Sequence, residues 1–149
     1  MNGRRPKVFV VSNVALVSEG IHFQLSRSDK IALAGRGEVN APTVGAMVRT
    51  GAEVLVLDFA STGAHDFAEA LVTQIPGMKI VGIAIGSTSL PVADWAELGV
   101  VGFVDDNGSI DDVVSAILSV SKGGYALSPA TTNALVSDLI NRCESRREP

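Results

Sequence analysis

Val54-Leu55-Val56-Leu57-Asp58 is the stretch on which the fold of this chain turns. Four consecutive branched aliphatics do not suit a strand with one wet face, because successive side chains point to opposite sides of a sheet. Continuous apolarity over strand length means that both faces are covered, as in a parallel sheet packed between helices. The carboxylate that ends the run then stands where the strand emerges at the sheet edge.

Runs of the same kind recur on either side, at 8–11, 31–34, 80–85 and 100–104. Helix-period segments lie between them. Val17, Ile21 and Leu25 repeat at four, as do Phe67, Leu71 and Ile75, so each trio shares one helical face. A short helix at 42–49 carries Gly45, and Gly35-Arg36-Gly37 reads as a turn after the second strand. Ser89-Leu90-Pro91 opens a fourth helix, because proline is tolerated in a first turn, and Gly99 ends it. Ser109 and Asp112 have capping-box spacing ahead of the stripe Val113, Val114, Ile117 and Leu118. Five strand–helix units of this kind predict an α/β fold, a doubly wound five-stranded parallel sheet.

Beyond Gly123-Gly124 the pattern predicts one more helix. Ser128 caps it, Pro129 suits its first turn, and Leu135, Val136, Leu139, Ile140 and Cys143 form an apolar stripe. Five units already cover both faces of a sheet. The extra stripe must therefore dock on the domain, meet a partner, or pair with its own copy. The division expected is a domain at 1–127 followed by a helix and linker-like tail at 128–149.

Composition narrows the function classes. A chain of 149 residues with 46% hydrophobic residues can bury one self-sufficient core. The net charge of −4 argues against nucleic acid or anionic lipid lying on the body of the domain. Basic residues flank it at Arg4, Arg5 and Lys7 and at Arg142, Arg146 and Arg147. The single cysteine, Cys143, makes no internal disulfide and suits a reducing cytoplasm, and no run reaches the ~18 apolar residues of a membrane span. A cytoplasmic location without membrane contact is expected. There is no Gly-x-Gly-x-x-Gly after a strand and no Gly-Lys-Ser/Thr, and the loop 12–20 lacks a flavin phosphate cradle. His22 and His65 have no partner at metal-ligand or nucleophile–base spacing.

Open α/β sheets hold ligands at the carboxyl ends of their strands. Those ends carry Ser12-Asn13, Asp58-Phe59, Ala84-Ile85-Gly86-Ser87 and Asp105-Asp106. Ser18-Glu19-Gly20, Gly99-Val100-Val101-Gly102-Phe103 and the stretch from Gly123 to Pro129 complete a pattern, in order and spacing, over about residues 7–140. In it the chain resembles a response-regulator receiver domain of the LuxR/NarL type. The resemblance implies a flavodoxin-like sheet of order 2-1-3-4-5 with an added C-terminal helix.

It also implies a phosphate-accepting site, and here that site is degenerate. Asp58 keeps the phosphoacceptor position. Ser12 and Asn13 replace two acidic residues that hold Mg²⁺ in the family, Ala84 replaces a Thr or Ser, and Asp106 replaces a Lys that pairs with phosphoryl oxygens. Phe103 holds the place of the switch aromatic. A hard cation needs anionic oxygens, so Mg²⁺ binding is expected to be lost or very weak; no other metal, cofactor or catalytic residue is expected. Asp58 has three readings: a solvated strand-end carboxylate, a residual phosphoacceptor, or a ligand contact.

The function expected is a non-enzymatic, phosphorylation-independent receiver in transcriptional signalling. It would act through homodimerisation, or partner binding, by the face of the fourth helix, fifth strand and fifth helix or by the added helix. The alternatives are a small-molecule sensor with a pocket at Ser12, Asn13, Ala84 and Ser87, and a weakly competent phosphoacceptor. The resemblance implies that a helix-turn-helix domain follows such a receiver. DNA binding would then belong to a part beyond Pro149, since no recognition-helix pattern occurs within the chain.

Overall fold

A computed structural model describes residues 4–147; residues 1–3 and 148–149, which hold the end of the charged tail, lie outside the described residues. Five strands, β1 (Lys7–Val11), β2 (Ala32–Gly37), β3 (Val54–Asp58), β4 (Lys79–Ile83) and β5 (Gly102–Phe103), pair in the order β2-β1-β3-β4-β5. Every pairing is parallel. The helices are α1 (Ala15–Ser26), α2 (Ala41–Thr50), α3 (Ala64–Gln74), α4 (Val92–Glu97), α5 (Ile110–Ser121) and α6 (Pro129–Arg147).

The strand period divides the interior into two cores. Phe9 and Val11 of β1, with Leu55 and Leu57 of β3, meet Met47, Phe67 and Leu71 on the side of α2 and α3. Their sequence neighbours Val8, Val10, Val54 and Val56 meet Leu25, Ile117 and Val120 on the side of α1 and α5. Each of these side chains is at least 90% buried and contributes roughly 1.5–3 kcal/mol through loss of apolar contact with water. Two covered faces are what the unbroken run in β3 requires.

Helix ends follow local chemistry. Ser109 and Asp112 form a reciprocal capping box on α5, and Asn40 accepts from Thr43 N to start α2. Ser128 Oγ accepts from Thr131 N at 3.1 Å in the first turn of α6. Gly99, at φ 99°, follows the end of α4, and Pro91 stands just before its first residue rather than within its first turn.

Three elements depart from the sequence expectation. Gly35-Arg36-Gly37 is the end of β2, not a turn. The glycines there provide space: a Cβ on Gly35 would lie 2.9 Å from the Phe9 ring, and one on Gly37 would lie 2.6 Å from Thr43 Oγ1. β4 ends at Ile83, because Ala84 takes left-handed backbone angles and a single 3-10 turn, Ile85–Ser87, follows. β5 has only two residues; its edge is continued by Ala126, whose carbonyl accepts from Phe103 N at 2.7 Å.

The apolar stripe of α6 does not dock. Val136, Leu139 and Ile140 remain 45–53% exposed, and Thr131 is the one buried residue of the helix. α6 instead lies on α4 through polar contacts. Asp138 Oδ2 accepts from Ala93 N at 3.2 Å, and Arg142 pairs with both Asp94 and Glu97. Hydrogen bonds to Asp94 and then Glu97 raise the Arg142 pKa above its ordinary value. No helix among the described residues is long and apolar enough to cross a membrane.

Candidate functional site

The carboxyl ends of β1, β3 and β4 converge because these strands are adjacent and in register, with Asp58 opposite Ile83. Asp58 is only 4% exposed and Ser12 only 1%. Ser12 Oγ donates to Asp58 Oδ2 at 2.7 Å and accepts from Val14 N at 3.0 Å. Asp58 Oδ1 accepts from Ala60 N at 2.9 Å. Both carboxylate oxygens thus have protein donors. A buried carboxylate without a cation depends on such donors, because burying an unpaired charge is costly.

Asn13 ties three loops together. Its Oδ1 accepts from Val39 N at 2.8 Å, its Nδ2 donates to the Thr62 carbonyl at 3.2 Å, and its backbone N–H donates to Ser61 Oγ at 2.9 Å. The donor set does not fit a hard divalent cation. Asp58 is the single carboxylate in this group, its two oxygens accept hydrogen bonds, and the Asn13 amide oxygen is held by Val39 N.

Ala84 is the one non-glycine residue among those described with positive φ, at φ 58° and ψ 38°. Its methyl group offers no hydrogen bond. A β-branched Thr would be strained in this backbone conformation, so both the residue type and the local geometry differ from the hydroxyl-bearing strand end that the resemblance implies.

Asp106 faces the loop after β4. Its Oδ1 accepts from Gly86 N at 2.9 Å, and a Cβ on Gly86 would lie 2.2 Å from Oδ2. Asp105 turns to the last helix: Ser128 Oγ and Thr131 Oγ1 each donate to its Oδ1 at 3.0 Å. Neither aspartate shares a hydrogen-bond partner with Asp58. The two aspartates make separate attachments, one to the β4–α4 loop and one to α6. A turn at Asp106-Asn107 follows, closed by Gly108 N donating to the Asp105 carbonyl.

Phe103 is buried at 5% exposure and packs edge-on against Phe59, at a centroid distance of 6.1 Å. Phe59 in turn stacks on Trp95 at 3.7 Å, nearly parallel at 6°. His65 meets the Trp95 ring edge-on at 5.1 Å, a packing role. Gly82 makes room for this cluster, since a Cβ there would fall 2.0 Å from Phe59 Cζ. Sequence reasoning missed Phe59; the signal available was a bulky aromatic directly after Asp58 with a glycine at 82 in the neighbouring strand.

Beside this cluster lies a cavity of about 340 Å³, bordered by Ser61, Thr62, Ser87, Thr88 and Trp95. Of the pocket residues expected from sequence it includes Ser87, but not Ser12, Asn13 or Ala84. The Trp95 indole nitrogen is the one buried side-chain polar atom among the described residues with no hydrogen-bond partner.

No family model matches the chain. The transcriptional regulatory protein MctR of Rhizobium johnstonii is 23% identical over 140 residues, which cover 91% of this chain and 65% of the relative. A two-component response regulator of the LuxR family from Aurantimonas sp. superimposes with a TM-score of 0.78 at 16% identity, covering 92% of this chain and 99% of that one. The isolated REC domain of RcsB from Salmonella enterica serovar Typhimurium, with the phosphomimetic BeF3−, gives 0.75 at 17% identity, covering 89% and 99%. With its parallel 2-1-3-4-5 sheet, flanking helices and added terminal helix, the chain has the fold of the receiver domains of LuxR-family response regulators.

Proposed function

We propose that this chain is the receiver of a transcriptional response regulator whose output does not depend on phosphorylation of Asp58. One observation carries the reading: each polar residue at an altered site position makes a hydrogen bond that holds the resting structure. Ser12 holds Asp58, Asn13 holds the loops at Val39 and Thr62, and Asp106 holds the loop at Gly86. Phosphoryl transfer needs a cation and donors that are free to meet the developing charge. Here the donors are engaged with one another, and the lysine position carries a carboxylate.

In this reading the controlled variable is association, and the protein is a binding module rather than an enzyme. α6 lies over α4, so the α4 part of the α4-β5-α5 face is taken up by the chain itself. The exposed stripe of Val136, Leu139, Ile140 and Cys143 is the surface left for a second copy. RcsB, a solved structure of similar fold, is described as two dimers bound to two parallel DNAs. DNA contact belongs in this reading to a further domain of a longer protein, with 128–149 as the output end of the receiver at 1–127. Sedimentation velocity over a range of concentrations tests it: a dimer that is unchanged by acetyl phosphate with Mg²⁺ supports the reading. A strict monomer, or a dimer that forms only with the phosphodonor, contradicts it.

A second reading, a small-molecule-sensing receiver, is favoured by the hydroxyl-lined cavity at Ser61, Thr62, Ser87 and Thr88 and by the unpartnered Trp95 indole beside it. A thermal-shift screen of neutral metabolites tests it, because a ligand of the folded state raises the melting temperature.

A further inference from the structure

At the amino ends of the strands, opposite the site at Asp58, the loops entering β1 to β4 and the end of α5 enclose a second cleft, of about 1100 Å³. Sites that bind small organic ligands usually occupy roughly 300–1,000 Å³, so this cleft is somewhat larger and such a ligand would fill only part of it. The lining is uneven in charge. Arg4, Arg5, Lys30, Lys79 and Lys122 border it, against Asp29 and Glu53. Five cations less two carboxylates leave +3 in a chain whose net charge is −4.

Glu53 is already committed, since it pairs with Arg4 and accepts from Lys7 N at 3.0 Å. Among the described residues, Arg5, Lys30, Lys79 and Lys122 make no ion pair within 4.0 Å. Apart from Gly77 and Ser121 the rest of the border is apolar, with Ile75, Met78 and Leu118 among its residues. Like charges repel when brought together. An anion would relieve that repulsion, and the apolar part favours an anion with a hydrophobic body.

We infer that this cleft is a binding site for an amphiphilic organic anion, one with a carboxylate, sulfonate or phosphate head and an aromatic or acyl body. The lysines hold the head and the apolar residues cover the body. The site stands apart from Asp58 and does not depend on how the receiver signals.

Fluorescence titration of the full chain with anilinonaphthalene sulfonate, an aromatic sulfonate, tests the inference. The expected result is saturable binding at one site, weakened about ten-fold by the triple variant Lys30→Glu, Lys79→Glu, Lys122→Glu, and weakened by added salt. Ile140→Ser, on the exposed stripe of α6, should leave binding unchanged. Circular dichroism checks folding, and the milder Lys79→Gln, Lys122→Gln pair replaces the triple variant should it fail to fold. Absence of saturable binding overturns the inference. So does binding that ignores the lysine changes, or binding lost with Ile140→Ser.

Discussion

Ser12 Oγ lies 2.7 Å from Asp58 Oδ2 and donates to it, in a position where less than a twentieth of either residue meets solvent. A hydroxyl thus takes up one lone pair of a carboxylate oxygen, for which a metal or a phosphoryl group would have to compete. It also gives the buried charge a partner.

Ser12→Ala removes that partner without removing the charge. Leaving a buried acceptor unsatisfied costs about 1–3 kcal/mol. Urea unfolding should show a loss of this size, and Asp58→Asn in the same background should recover part of it, because the neutral amide is cheaper to bury.

An acidic pair at 12 and 13 should create a metal dependence. Ser12→Asp with Asn13→Asp places three carboxylates at one sheet edge and breaks the Thr62 attachment, because a carboxylate can still accept from Val39 N but has no N–H to donate. The double variant should melt below the parent in chelator and regain stability with millimolar Mg²⁺, since a ligand of the folded state stabilises it by mass action. The parent should respond to neither condition.

Gly86 and Asp106 should show strong coupling. A methyl group at 86 would meet the Asp106 carboxylate at 2.2 Å, so Gly86→Ala should destabilise by about 1–3 kcal/mol. In an Asp106→Ala background the same change should cost clearly less. Additive costs across the double-mutant cycle would show that the loop is not held this way.

Ala84 sits in the left-handed region, which glycine tolerates without strain. Ala84→Gly should therefore be stabilising by roughly 0.5–1 kcal/mol. Ala84→Thr, which supplies the hydroxyl found in the family, should be destabilising, because a β-branched residue is an outlier in that region. Thermal melts of the two variants, moving in opposite directions, check the point.

Much of the fold was legible in the sequence, and particular residues show why. β3 could be read from apolarity alone, since a strand covered on both faces must be continuous, and the Ser109–Asp112 box declared the start of α5. Gly35-Arg36-Gly37 was not legible: a glycine that makes room for Phe9 or Thr43 looks the same in sequence as one that turns the chain. The stripe of α6 left its own use open. Its apolar residues were readable as a surface, but the docking depends on Asp138 and Arg142 reaching Ala93, Asp94 and Glu97 some 45 residues back.

At the site, the positions to examine came from sequence order and spacing. The new partners of Asn13, Asp105 and Asp106 did not, because Val39, Thr62, Gly86, Ser128 and Thr131 are brought near only by the folded loops.

The most direct test of the account is intact-mass measurement of the chain after incubation with acetyl phosphate and Mg²⁺. The account predicts an unchanged mass, because Ser12 and Ala60 already donate to the Asp58 oxygens, positions 12 and 13 carry no carboxylate, and no lysine stands at 106. A gain of one phosphoryl group that disappears in Asp58→Asn would contradict it and make the chain a working phosphoacceptor.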